Sequence, residues 1–260
     1  MCLLSPLSTS PLSPDLPLVL EGALHLSTKY EIAGIRSRIA EVLQSAWPRT
    51  LVEWESQRKI ISDMAKKHSE NQPDGKVEGL YLDDRLPEPA SAIRLARRYD
   101  IPDILPAAYY TLYSVPSMRY DFDVVRRSTP GSMDEYHRKR GRRSARVDLL
   151  DRLDMRRLID LQESMVDLSH SIGSNLYTLG DHHEDCARPK VCKHWHEEIK
   201  RHLVNHQWCI GQDVLGNLRM ARQFCVDEMC SRCRADHLQV INECSREIWE
   251  ALATCLRSLH

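Results

Sequence analysis

The stretch LQVINECSREIWEALATC (238–255) decides the fold class. Leu238, Ile241, Cys244, Ile248, Leu252 and Cys255 recur three or four residues apart, with Arg and Glu on the positions between them. A period of 3.6 residues puts the six on one stripe and the charges on the opposite face, which is the pattern of a helix that buries one side. The same signal recurs upstream in Leu158, Leu161, Met165, Leu168 and Ile172. That run lasts about two heptads, short of the three or four that a coiled coil requires, so it reads as a core-packing helix. Ile32, Ile35, Ile39 and Val42 form a third stripe. No segment shows the period-two alternation of a strand, and no repeat is visible. The expected fold is mainly α, an irregular helical array in two lobes.

Punctuation between these stripes sets the expected boundaries. Residues 1–18 are rich in Pro and Ser and read as a disordered lead-in, and 19–116 as a first helical lobe. Trp47-Pro48 stops one helix, because a residue before Pro is pushed out of the α region. Thr50 is placed to cap the next, with Glu53 in capping-box position and Trp54 on the apolar side. SENQPDGKVEG (69–79) has turn chemistry without periodicity. Pro87 or Pro89 opens a further helix through Ile93, Ala96 and Tyr99, and Pro102 or Pro106 another through Ala108, Tyr109 and Leu112. Residues 117–147 hold STPGS (128–132) and the basic run HRKRGRRSAR (137–146), and read as a linker or solvated loop beside Asp148 and Asp151. Residues 148–260 form the second lobe, which contains Cys and His. Trp47, Trp54 and Trp249 read as packing anchors.

Composition narrows the function. Lys plus Arg number 36 and Asp plus Glu 37, for a net charge of −1, so the surface as a whole does not grip nucleic acid or anionic membrane. No run reaches the roughly 18 apolar residues that span a bilayer. The N-terminal MCLLSPLSTSPLSPDLPLVL lacks a positive start and is broken by prolines at 6, 11, 14 and 17, which argues against a signal peptide. The expected location is therefore intracellular, cytoplasmic or nuclear. In such a reducing compartment the nine cysteines are thiols or metal ligands rather than disulfides.

The most specific local pattern is Cys230-Ser-Arg-Cys233, a CxxC knuckle, with Cys186 and Cys192 as a looser pair upstream. Four thiolates match the tetrahedral preference of one structural zinc ion, and His182, His183, His194, His196 and His237 lie near in sequence. The competing reading is four ordinary buried thiols, as expected for Cys244 and Cys255 on their apolar stripe. A redox CxxC lacks the surrounding βαβ pattern. HEEIK (196–200) has Lys200 where a zinc-protease helix needs His, and the glycines form no phosphate loop. No motif carries a reaction, so a non-catalytic role is expected. The basic run also admits a nuclear-import or nucleic-acid role, without the interleaved aromatics that stack on bases.

Taken in order, several segments resemble fungal BTB/POZ-domain proteins. HLSTKYEIAGIRSRIAEVL (25–43) is similar to the helix pair that closes a BTB domain, and AWPRTLVEWE (46–55) to the segment after it. PASAIRLARRYDIPDILPAAYYTLY (89–113) is similar to the next helical pair. LLDRLDMRRLIDLQESM (149–165), the Cys186/Cys192 pair and CSRCRADH…REIWEAL (230–252) follow in the same order. The resemblance spans about residues 19–255 and starts where the β-rich half of a BTB fold would be ending, as in a truncated gene product. It implies an adaptor that joins proteins, itself or cullin-type ligase components, with Tyr30, Ile32, Ile35 and Ile39 at the docking region. The rival function is a zinc-containing, nucleic-acid-associated regulator.

Overall fold

The computed structural model of the chain describes residues 12–71, 74–116, 119–178, 184–205, 213–224 and 228–257. Among the described residues about 74% are helical, in 11 α-helices. Among the described residues no strand forms, and the two isolated bridges are Val77 with Leu80 and Asp121 with Arg146. The mainly α expectation holds. Two compact units result, Met1–Arg156 and Arg157–His260, so the division falls inside a helix rather than at residue 148.

The first unit is built on α1 (Leu16–Lys29), α2 (Ala33–Ala46), α3 (Leu51–Glu70), α4 (Pro89–Arg98) and α5 (Leu105–Tyr113). Pro17 sits in the first turn of α1, where a missing N–H costs nothing, so this helix begins within the stretch read as a lead-in. Leu16, Leu20 and Leu24 of α1 are buried, as are Ile39 and Leu43 of α2. Removing such aliphatic side chains from water stabilises by about 1.5–3 kcal/mol each. Trp47 ends α2, and the Thr50 hydroxyl accepts from the Glu53 N–H at 3.2 Å to start α3. Glu53 Oε2 reaches back to the Arg49 N–H at 2.7 Å, one residue earlier than a standard capping box. Arg94 and Arg98 of α4 both pair with Glu21 of α1, at 2.6 and 2.9 Å.

Residues 119–147 are not a solvated loop. They form α6 (Phe122–Arg126) and α7 (Met133–Lys139) and fold onto the 81–88 turn. Asp84 receives Arg126 at 2.6 Å and Arg138 at 2.9 Å. Asp83 accepts from the Ser144 N–H at 3.2 Å and from its hydroxyl. Arg143 donates to the Pro87 carbonyl. Glu88, itself buried, caps α4 through the N–H groups of Ala90 and Ser91 and also accepts from the Arg146 N–H at 2.9 Å. Burial lowers the Arg143 guanidinium to about 10, and lowers Arg119 and Arg126 as well. Gly75 shows how close the approach is. At φ +62 it lies against Lys139, and a Cβ there would meet the Lys139 carbonyl oxygen at 2.5 Å.

The second unit holds the rest of α8 (Arg152–Thr178), then α9 (Pro189–Asn205), α10 (Val214–Phe224) and α11 (Ser231–Arg257). Ile241, Cys244, Ile248 and Leu252 are buried on α11, while Leu238 and Cys255 are half-buried at the stripe's ends. Leu158, Leu161, Met165 and Ile172 are buried on α8. Helix α10 packs against both α9 and α11.

Candidate metal centre

The starts of α9 and α11 converge on four sulfurs. Pro189 opens α9, and the Cys192 N–H donates to the Arg188 carbonyl at 2.9 Å, which fixes Cys192 in the first turn. Cys186 lies in the turn just before that helix. Cys230 immediately precedes α11, its carbonyl accepts from the Arg234 N–H at 3.0 Å, and Cys233 occupies the first turn. Each half therefore supplies one cysteine from a loop and one from a helix start. Asp185 pairs with Arg232, and the Trp195 indole donates to Glu228 at 3.0 Å, so polar side chains tie each loop to the helix that follows the other.

The sulfurs of Cys186, Cys192, Cys230 and Cys233 all lie within 4.8 Å of one another, a set able to hold a metal ion. Sγ of Cys186 and Cys230 are 3.6 Å apart. A tetrahedral ion with Zn–S bonds of about 2.3 Å needs thiolates roughly 3.8 Å apart. The arrangement is thus the size of a single-ion site, and its wide five-residue spacer is absorbed by the turn that leads into Pro189.

Electrostatics favour thiolate at Cys230. Helix starts carry partial positive charge and unpaired N–H groups, which lower thiol pKa values. The Cys230 thiol is lowered to about 6, first by the Cys233 N–H and further by the Ala187 N–H. The Cys230 N–H points at Cys192 Sγ, 3.2 Å away. Burial pushes the Cys192 thiol up. Burial is uneven: Cys192 and Cys233 are enclosed, at 0% and 1% exposure, whereas Cys186 and Cys230 are half-exposed.

Each helix places a histidine one turn beyond its cysteine, as Cys192-x3-His196 and Cys233-x3-His237. Both rings are buried, edge to face, with centroids 5.6 Å apart. Burial, and secondarily His196, lowers His237 to about 4. This doubled spacing was readable in the sequence, where only the nearness of the two histidines stood out. His194 is exposed against Trp195. His182 and His183 lie outside the described residues.

The expected docking residues separate. Tyr30 and Ile32 are 63% and 44% exposed, Ile35 is half-buried, and Ile39 is in the core, unavailable to a partner. The basic run is spent inside the first unit. Arg138 is buried on Asp84, Lys139 pairs with Glu135 at 3.3 Å and Arg146 with Asp15 at 2.6 Å, leaving Arg140 and Arg142 exposed. No described helix is long and apolar enough to cross a membrane. Comparison of the chain with family models, with curated proteins and with solved structures returned no match.

Proposed function

We propose that this chain is a non-catalytic, adaptor-like protein-interaction module whose second unit is organised by one structural zinc ion. The four-thiolate cluster carries the reading. Catalytic zinc keeps a position open for water or substrate, whereas four cysteines close the coordination sphere and leave the ion a folding role. In that role Cys186, Cys192, Cys230 and Cys233 would cross-link the starts of α9 and α11. The ion would supply much of the stability that two short loops and two helix ends lack.

The interaction half of the proposal rests on the first unit. Tyr30 and Ile32 stand exposed beside Leu26 at the end of α1, and Val52 and Ile60 line an open groove between α2 and α3. Exposed apolar side chains at these two places suit protein partners. The resemblance of residues 19–255 to BTB-type adaptors points the same way, with cullin-type ligase components or a second copy among the partners it implies. The nucleic-acid reading loses support because most of the basic run is paired with carboxylates and backbone carbonyls of its own unit.

Affinity capture on the full chain, with wild type beside a Tyr30→Asp/Ile32→Asp variant, tests the interaction reading. The expected result is a set of proteins held by wild type and lost by the variant, while both keep the same helical content. An identical set from both, or none from either, would sink the docking assignment.

A further inference from the structure

We propose that Cys186 and Cys230 are an oxidation site, at which a hydroperoxide joins them in a disulfide and opens the metal centre. The proposal deepens the zinc reading and rests on it for the second clause only. Three observations single out this pair among the four thiols. Their sulfurs are 3.6 Å apart, about 1.5 Å beyond the S–S bond length of about 2.05 Å. They are the half-exposed members of the cluster, whereas Cys192 and Cys233 are enclosed, so an oxidant arriving from solvent meets Cys186 and Cys230 first. Backbone N–H groups of Cys233 and Ala187 are directed at the Cys230 sulfur.

The chemistry balances with hydrogen peroxide as the oxidant. The Cys230 thiolate attacks one peroxide oxygen, the O–O bond breaks, and hydroxide leaves with a sulfenic acid formed on Cys230. The Cys186 thiol then attacks that sulfur and gives up its proton, the S–S bond forms, the S–O bond breaks, and water leaves. Two electrons pass from the two sulfurs to the peroxide. Cys192 and Cys233 remain unoxidised, two ligands where a structural zinc ion needs four, and the ion departs. The disulfide links residues 44 apart in sequence, joining the loops before α9 and α11, and a small thiol reductant reverses it.

The test uses the purified full chain, analysed for zinc, then treated with equimolar hydrogen peroxide. Released zinc is read with a chromogenic chelator, and disulfides are mapped by peptide mass spectrometry after alkylation of free thiols. The expected result is loss of the bound zinc, one ion per Cys186–Cys230 linkage, restored by dithiothreitol and added zinc. The Cys186→Ser variant loses the linkage, and Cys255→Ser, on the far part of α11, oxidises like wild type. A dominant Cys230–Cys233 linkage, or the Cys186–Cys230 linkage with zinc retained, overturns the proposal whether or not Cys186→Ser folds. If the purified chain holds no zinc, the structural-zinc reading fails by itself. The mapping on that metal-free chain still decides between the Cys186–Cys230 pair and any other.

Discussion

Replacing Asp84 by Ala strips two arginines of a shared carboxylate. Arg126 Nη1 lies 2.6 Å from Oδ1, Arg138 Nη2 contacts both oxygens at 2.9 and 3.0 Å, and the Tyr81 N–H donates to Oδ2 at 3.0 Å. The side chains of Asp84 and Arg138 are each 10% exposed, and that of Arg126 is 23% exposed. An exposed ion pair contributes about 0–1 kcal/mol. Breaking a buried one costs about 3–5 kcal/mol, because the orphaned charge stays out of water. Low exposure at Asp84 and Arg138 puts this site in the second class, and the wetter Arg126 pulls the figure toward the lower end. A loss of about 3 kcal/mol is expected, which at a urea slope of roughly 1–3 kcal/mol per molar moves the midpoint down by about 1 M or more. Because the chain has two units, the assay should follow the first alone, by hydrogen exchange of peptides from 81–98 across a urea series. Arg140→Ala is the control. Its guanidinium stands exposed over the Tyr136 ring at 4.5 Å and should change stability by less than about 1 kcal/mol. If both variants shift the midpoint equally little, residues 137–146 are a solvated loop and the packing described above is wrong.

Other outcomes follow from single side chains. Tyr109→Phe removes the 2.8 Å bond from the buried hydroxyl to Asp154, and should cost about 1–2 kcal/mol in chemical unfolding; unchanged stability would contradict it. Thr50→Ala deletes the cap of α3 and should cost about 1 kcal/mol, while Thr50→Ser should be nearly silent. Burial raises the Cys244 thiol to about 11, so the folded chain keeps it neutral where the unfolded chain ionises it near pH 9. Its stabilising effect is therefore complete below about pH 9 and is lost as pH rises toward about 11, a change of roughly 2–3 kcal/mol. Cys244→Ala should show a flatter pH dependence of unfolding than wild type over that window, and identical slopes would refute the assignment.

Features set by neighbours along the chain were legible in the sequence, and features set by distant partners were not. The α11 stripe, the stop at Trp47-Pro48, the Thr50 cap and the proline starts of α4 and α5 each depend on residues within a turn of one another. All appear in the structure. The four cysteines were identifiable by residue type, although the five-residue spacer looked wide because the turn that places Cys192 at the start of α9 is not written in ligand spacing. The basic run misled because its meaning depends on Asp83, Asp84 and Glu88, more than 50 residues away in sequence. An arginine aimed at a distant carboxylate looks in sequence like any solvated arginine. The same limit applies to Ile32 and Ile39, two members of one periodic stripe, of which one is exposed and the other sealed in the core. A period identifies the face but not where along the helix its covering ends.

The zinc assignment is tested most directly by X-ray absorption at the metal edge, combined with elemental analysis of chain purified without added metal. One zinc per chain, with four sulfur neighbours at about 2.3 Å and no nitrogen or oxygen in the shell, is the expected result. A metal-free chain whose helices keep their full stability, or a zinc shell containing light atoms in place of sulfur, would contradict it.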